Sequence, residues 1–126
     1  MIYLDTHVVI WFYYGRLKKI SNIATEVIKN NDLYIAEMVR LELQYLHEIG
    51  RIDSSSSTII ETLRADLDLK IANTSNDLII NQAIKIDWTR DVFDRLIVAQ
   101  AMVDNATLIT KIKPFVQITI RQFGRI

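Results

Sequence analysis

The sequence predicts an α/β fold in which a parallel sheet is covered by helices on both faces. Short apolar segments rich in valine, isoleucine and leucine alternate with longer segments of helical periodicity. Strands that read as continuous apolar runs are typical of parallel sheets buried on both faces. Glycine occurs three times and proline once, and neither a repeat nor a linker interrupts the alternation. We therefore expect residues 1–126 to form a single domain.

The first third of the chain predicts a strand, two helices and a second strand. The apolar run 2–4 is the first strand, and a helix with apolar residues at positions 8, 9, 11 and 12 follows it and ends near Gly15. Ser21 is a predicted N-cap for a helix with one apolar face, which the polar turn 30–32 ends. The second strand covers residues 33–36.

The remaining two thirds continue the same alternation. The serine run 54–57 precedes apolar residues at helical spacing, so it is predicted to be a loop and helix N-cap. An almost entirely apolar segment near the end predicts a buried helix. The predicted order is helix 38–49, helix 59–67, strand 69–72, helix 78–83, helix 92–103 and strand 107–110.

The composition excludes several kinds of site. The chain has no cysteine, which excludes a disulfide framework, a thiol nucleophile and cysteine-ligated metals. A reducing cytoplasm is the predicted location. The N-terminus lacks a basic segment before its apolar run, and no stretch reaches the roughly 18 uncharged apolar residues of a membrane span. We therefore predict neither a signal peptide nor a membrane partner.

Fifteen basic and fifteen acidic side chains give a formal net charge of zero, which argues against a protein that holds nucleic acid by a large basic field. The charge is unevenly distributed. Residues 105–126 contain four basic side chains and no acid, so residues 1–104 carry 11 basic and 15 acidic side chains, a net charge of −4. The sequence thus predicts a mildly acidic body with a basic tail.

Asp5 is placed where the first strand ends and the next helix begins. Such an aspartate is a preferred helix N-cap, and the same position also points a carboxylate into the crevice at the carboxyl edge of the sheet, where ligands bind in open parallel sheets. Both interpretations stay open. Thr6 beside it adds a hydroxyl that could bind an ion or a phosphate.

Glu42 and Asp94 are acids in apolar surroundings. The helical neighbours of Glu42 are mostly apolar, and burying a lone carboxylate is costly unless a cation or hydrogen-bond donors compensate it. Asp94 opens a helix that is apolar nearly all round. Asp91, three residues earlier, resembles a capping acid at the positive end of the helix dipole. Arg95 is interpreted as a structural or substrate-side cation.

Asp5, Glu42 and Asp94 would form an oxygen-only site if they converge on one edge of the sheet. Such ligand sets suit hard ions such as Mg²⁺ or Mn²⁺. The chemistry that they support is phosphoryl transfer, in which the metal activates water and stabilises charge on the phosphate.

The segments YLDTH (residues 3–7), LEL (residues 41–43) and residues 91–101 resemble three motifs of PIN-domain ribonucleases, particularly the VapC-type toxins of bacterial toxin–antitoxin pairs. The opening YLDTH at residues 3–7, with Trp11 four residues on, resembles the start of these proteins, and the LEL of residues 41–43 is similar to their second acidic motif. Residues 91–101 resemble their Asp-Pro-Phe-Asp-Arg segment, with Val92 in place of the proline. The three occur in the family's order and spacing, over about residues 1–111.

This resemblance implies a three-layer α/β/α sandwich with a central parallel sheet, usually homodimeric, and metal-dependent endonuclease activity on RNA. It implies that Asp5, Glu42 and Asp94 are the metal ligands and catalytic residues. Thr6 and Thr110 match hydroxyl supports near the ion. The resemblance also implies a cognate antitoxin protein that binds across the active-site groove and suppresses cleavage.

The chain departs from the family at one position. Family members usually place a fourth acid two residues after the threonine of the fourth strand, whereas this chain reads Thr110-Lys111-Ile112. Ile112 has no ligating atom. Either the three remaining acids hold one ion, with Asp91 or water replacing the missing ligand, or the protein is a weakened or inactive PIN module that binds RNA or a protein partner.

His7, which follows the first acid by two residues, is interpreted as a side chain at a helix start rather than a base. A phosphoacceptor receiver domain has similar length and layers, but it normally needs a pair of acids after the first strand, and here Asp5 is followed by Thr6.

The cations that could receive RNA phosphates are Arg16, Lys18, Lys19, Arg95, Lys111 and Lys113.

Overall fold

Four short parallel strands form the centre of the computed structural model, which describes residues 1–111 of the chain. The strands are β1 (Ile2–Leu4), β2 (Leu33–Ile35), β3 (Lys70–Ile71) and β4 (Thr107–Ile109). Their order in the sheet is β3-β2-β1-β4, and all three pairings are parallel. The parallel sheet predicted from the sequence is confirmed.

Six α-helices of the described residues connect and flank these strands, and one 3-10 turn covers Leu17–Lys19. The helices are α1 (Thr6–Tyr13), α2 (Asn22–Lys29), α3 (Glu37–Glu48), α4 (Ser56–Leu67), α5 (Asn76–Ile84) and α6 (Val92–Val103). Every predicted element is present, with bounds that differ by up to three residues. The arrangement is the three-layer α/β/α sandwich that the sequence predicted.

The core lies on both faces of the sheet. Tyr3 and Leu4 of β1 are fully buried although consecutive side chains of a strand point to opposite faces, and the same holds for Leu108 and Ile109 of β4. Ile97 of α6 is also buried against this core. Burial on both faces explains why the strands read as uninterrupted apolar runs.

Polar caps fix where the helices begin. The carboxylate of Asp5 accepts from the Val8 amide at 3.0 Å, and the Ser21 hydroxyl accepts from the Ala24 amide at 3.1 Å. The Asp91 carboxylate accepts from the Asp94 amide at 2.9 Å. These bonds satisfy amides that have no partner within their own helix.

The path of the chain creates a crevice beside β1. From β1 the chain moves to β2 and then β3 on one side, and it returns past both to place β4 on the other side of β1. Such a reversal leaves an opening at the carboxyl ends of the two strands that flank it, and ligands of open parallel sheets bind there. Asp5 and Thr110 directly follow β1 and β4 at this opening.

Between residues 1 and 111, no helix combines the length and apolar character needed to cross a membrane.

Candidate active site

Asp5 occupies the centre of the edge where β1 and β4 end. It is only 2% exposed, and both of its carboxylate oxygens are engaged. One oxygen caps α1 through the Val8 amide, and the other accepts from the Thr110 hydroxyl and, at 3.2 Å, from the Lys111 amide. Burial raises the pKa of Asp5, and these hydrogen bonds oppose the rise. Asp5 is therefore both a helix cap and a rigidly held acid at the crevice.

Glu42 reaches the same edge from the middle of α3. The hydroxyl of Thr6, the first residue of α1, donates to its Oε1. Burial raises the pKa of Glu42 to about 7, as do the charges of Asp94, Asp91 and Asp5, while the Thr6 hydrogen bond opposes the shift. The glutamate that the sequence placed among apolar side chains is thus half-buried and close to three other acids.

Asp94 and Asp91 bring two acids to this edge from the start of α6. Asp94 is half-buried, and its pKa is raised to about 6 by burial and by the charges of Asp91 and Asp5, against the opposing charge of Lys111. Asp91 is exposed and caps the helix through the Asp94 amide. Four carboxylates therefore interact electrostatically at one end of the sheet.

A cavity of about 430 Å³ opens over these acids. Glu42, Asp91 and Asp94 line it together with one cation, Lys111. The remaining lining residues are His7, Trp88 and Thr89. With three carboxylates and one ammonium group on its wall, the cavity has an excess of negative charge.

The carboxylate oxygens of the site fit a hard divalent cation, although the side chains are not already arranged around one position. Within residues 1–111, no three His, Asp or Glu side chains are arranged as a metal-binding group. Asp5 and Glu42 each direct an oxygen to a hydroxyl group instead. Magnesium typically keeps several waters and takes only one or two carboxylates from the protein. The oxygen-only chemistry and the mutual repulsion of the acids thus suit such an ion.

The structure does not bring all the predicted cations to this cavity. Arg95 has the structural alternative of its two predicted roles in this structure, because its Nε and Nη2 donate to the Ala83 carbonyl at 3.3 and 3.1 Å, near the end of α5. Arg16 lies over the Tyr14 ring, 6.0 Å from its centroid. Neither Arg16 nor Lys18 lines the cavity, and Lys113 lies outside the described residues.

His7 lies at the start of α1, as the sequence predicted, and it also lies beside the acids, which the sequence analysis did not predict. It lines the cavity with Glu42 and Asp94, and burial together with the Lys111 charge lowers its pKa to about 4. Its position two residues after Asp5 is the signal that could have identified it. Trp88 and Thr89 were not predicted at all, although they immediately precede the acidic segment that begins at Asp91.

The raised pKa of Glu42 predicts that Glu42→Gln stabilises the metal-free protein increasingly as pH rises. A carboxyl whose folded pKa is raised contributes stability below its unfolded pKa, and this contribution is lost as pH rises through the folded value, here about 7. Removing the charge avoids that loss. Thermal unfolding with chelator from pH 5 to 8 should therefore show a widening Tm gain over wild type.

The exposed Glu61 of α4 supplies the control, because Glu61→Gln should give no such pH-dependent gain. Comparison with wild type at each pH also cancels the contribution of His7 to the pH dependence of stability. That contribution has the opposite sign, because the folded pKa of His7 is lowered. A Tm difference for Glu42→Gln that is constant from pH 5 to 8 would contradict the prediction.

Comparison with known proteins agrees with this geometry. The family model of the PIN domain matches residues 2–117. Among solved structures, the chain is similar to a chain in the crystal structure of VapBC2 from Rickettsia felis, which is bound to a DNA fragment from the VapBC2 promoter. The TM-score is 0.61, the sequence identity is 23%, and the match covers 91% of each chain. At this identity the likeness shows the fold alone. A comparison with curated protein sequences found no significant match. Since the family model covers nearly the whole chain, this protein belongs to the PIN domain family.

Proposed function

We propose that this protein is an endoribonuclease that uses Mg²⁺ or Mn²⁺ and acts as the toxin of a toxin–antitoxin pair. The observation that carries the proposal is the meeting of Asp5, Glu42 and Asp94 at the carboxyl edge of the sheet, where the charge of Asp5 raises the pKa of both Glu42 and Asp94. Membership of the PIN family supports a nuclease, and the similarity to a VapBC2 chain supports a toxin with an antitoxin partner.

The raised pKa values support a bound cation. Structural carboxylates usually lie beside basic groups, which lower their pKa. Here the described lining of the cavity offers only Lys111, so the acids repel one another. Strongly perturbed acids in a cleft are typical of functional sites. A divalent ion is the partner that would relieve this repulsion most directly.

The residues of the site would have different roles in the reaction. Asp5 and Asp94 would hold the ion, which supplies a Lewis acid that activates water and stabilises charge on the scissile phosphate. Glu42 would bind the ion directly or orient the attacking water, and a pKa of about 7 suits a group that exchanges a proton near neutral pH. Thr6 and Thr110 would keep the carboxylates of Glu42 and Asp5 in place through their hydroxyl groups.

Asp91 is the proposed substitute for the acid that the family places at position 112. It lines the same cavity as Glu42 and Asp94, and its charge raises the pKa of both. It therefore supplies a fourth negative charge at the site, from the start of α6 instead of from the segment after β4.

Lys111 is the proposed contact for an RNA phosphate in the cavity, and Lys113, Arg16 and Lys18 are proposed as further contacts. Lys111→Met should raise KM for RNA and reduce the slope of log affinity against log salt concentration by about 1, because one phosphate contact is lost. Its backbone amide still donates to Asp5 in this variant. Nuclease assays at a series of salt concentrations measure both effects.

Lys85→Met is the matched control, since Lys85 is an exposed lysine that does not line the cavity. Equal KM values and salt slopes for the two variants would remove Lys111 from RNA binding.

A homodimer is part of the proposal. Leu41 and Tyr45 of α3 and its C-cap Ile49 are each about half exposed and follow one another at four-residue spacing. An exposed apolar stripe of this kind is typical of a surface that another protein chain covers.

Expression in a bacterial host tests the toxin proposal. The wild-type chain should arrest growth, and Asp94→Asn produced at the same level should not. Co-expression of a small DNA-binding protein encoded beside the gene should relieve the arrest. Purified protein that cleaves no RNA with Mg²⁺ or Mn²⁺, and whose Tm does not rise with either ion, would instead indicate a PIN module that only binds RNA or a protein.

A further inference from the structure

Gln100 is a buried polar residue of α6, a helix whose other buried residues are all apolar. It is 2% exposed and lies between Ala99 and Ala101, both fully buried. Burying an amide is costly unless its donors and acceptors find partners. A glutamine at this position therefore needs a structural reason, which its hydrogen bonds supply.

The Gln100 side chain joins three separate segments. Its Oε1 accepts from the Glu37 amide at 3.1 Å, and its Nε2 donates to the Ala72 carbonyl at 3.3 Å and to the Thr74 hydroxyl at 3.0 Å. Both amide hydrogens and the carbonyl oxygen are thus used. The partners lie at the start of α3 and directly after β3, so one side chain of α6 fixes both.

The same network extends to β1. The Thr74 hydroxyl donates to Asp104 Oδ2 at 2.8 Å, and the Tyr3 hydroxyl donates to the same oxygen. Tyr3 precedes Asp5 by two residues. The network therefore connects α3 and α6, which carry Glu42 and Asp94, with β1, which Asp5 directly follows.

Two contacts hold α3 against α6, and the acids lie between them. Gln100 meets Glu37 at one end, and the rings of Tyr45 and Phe93 pack 5.6 Å apart at the other. The helices are antiparallel in this contact, because the earlier residue of α3 meets the later residue of α6. Glu42 and Asp94 fall within this span.

We propose that Gln100 is a positioning residue of the acidic site: its hydrogen bond to the Glu37 amide holds α3 against α6 and so keeps Glu42 close to Asp94. This inference rests on the nuclease function proposed above. Gln100 does not line the cavity, so it acts only through the helices that it joins.

Glu37→Pro removes the hydrogen bond from the Glu37 amide to Gln100 Oε1 without altering Gln100. Glu37 is the first residue of α3, where proline is tolerated, and the preceding Ala36 has the extended backbone (φ −67°, ψ 152°) that a proline favours before it. Glu37→Ala is the matched control, because it removes the same carboxylate and keeps the amide. Gln100→Met is the second variant, in case the proline prevents folding.

The repulsion among the acids provides a readout without metal or substrate. At pH 8, Glu42→Gln should raise the Tm of metal-free Glu37→Ala, because it removes a charge held close to other acids. In the Glu37→Pro and Gln100→Met backgrounds the acids can separate, and the same substitution should give a smaller gain. A purely structural role of Gln100 lowers every Tm but leaves this gain unchanged.

Nuclease kinetics provide the second readout. Glu37→Pro should lower kcat by about 10- to 100-fold relative to Glu37→Ala, the range typical of residues that support metal ligands, and leave KM for RNA unchanged. Equal Tm gains and equal kcat in the two Glu37 backgrounds would overturn the proposal. So would a Glu42→Gln substitution that stabilises neither background. If no variant or wild-type protein cleaves RNA, the nuclease proposal fails, while the Tm gains still decide the role of Gln100.

Discussion

Asp94→Asn is expected to lower kcat/KM for RNA by more than about 100-fold while leaving the protein folded. Residues that merely support metal ligands change affinity or activity by about 10- to 100-fold, and a direct ligand should exceed this range. Asparagine keeps the shape of the side chain and removes the charge. Because the pKa of Asp94 is raised to about 6 by burial and neighbouring acids, the substitution should also raise the Tm of the metal-free protein at pH 8.

The measurement is cleavage of total bacterial RNA, with thermal unfolding of the same samples. Asp66→Asn is the matched control, because Asp66 is an exposed aspartate of α4 that does not line the cavity. Wild-type cleavage by Asp94→Asn would remove this carboxylate from the mechanism. Loss of cleavage accompanied by a lower Tm would indicate that the substitution damages the fold.

Mn²⁺ is expected to raise the Tm of the metal-free protein by roughly 10 °C at about 100 times its Kd. Ligand binding at that concentration stabilises the folded state by about 2.7 kcal/mol. In a domain of this size, each kcal/mol of stabilisation raises the Tm by several degrees. The rise should be smaller at pH 5 than at pH 8. Glu42 and Asp94, with pKa values of about 7 and 6, must lose protons before they can bind the ion.

Differential scanning fluorimetry with a Mn²⁺ series measures this shift. Asp5→Asn and Asp94→Asn should each reduce it, and Asp66→Asn should not. An identical rise in all four proteins would show that the ion binds elsewhere, and the absence of any rise in wild type would contradict a metal site.

Much of the fold was predictable because its signals are local. The apolar runs that form β1 and β4 are buried on both faces, and the acids and serines at helix starts act as the caps that their positions predicted. Element bounds shifted because the ends of helices depend on contacts that the local sequence does not contain. Glu37, for example, extends α3 by one residue beyond the prediction and donates to Gln100, 63 residues away.

The convergence of the acids on one edge of the sheet was predictable for a related reason. A carboxylate at a strand end, or one surrounded by apolar neighbours, conflicts with its local environment, and that conflict is visible in the sequence. Arg95 shows the limit of such reasoning, because the sequence left open whether its role is structural or on the substrate side. It directly follows Asp94, yet its guanidinium turns to the Ala83 carbonyl on another helix. Which acceptor a long side chain reaches depends on tertiary packing, which adjacency in sequence does not fix.

The measurement that tests the central claim most directly is cleavage of total bacterial RNA by metal-free protein before and after addition of Mn²⁺. Wild type and Asp66→Asn should cleave only after the ion is added, and excess chelator should stop them. Asp94→Asn should not cleave under either condition. Cleavage by wild type in chelator, or cleavage at the wild-type rate by Asp94→Asn with Mn²⁺, would contradict a nuclease site built on these carboxylates.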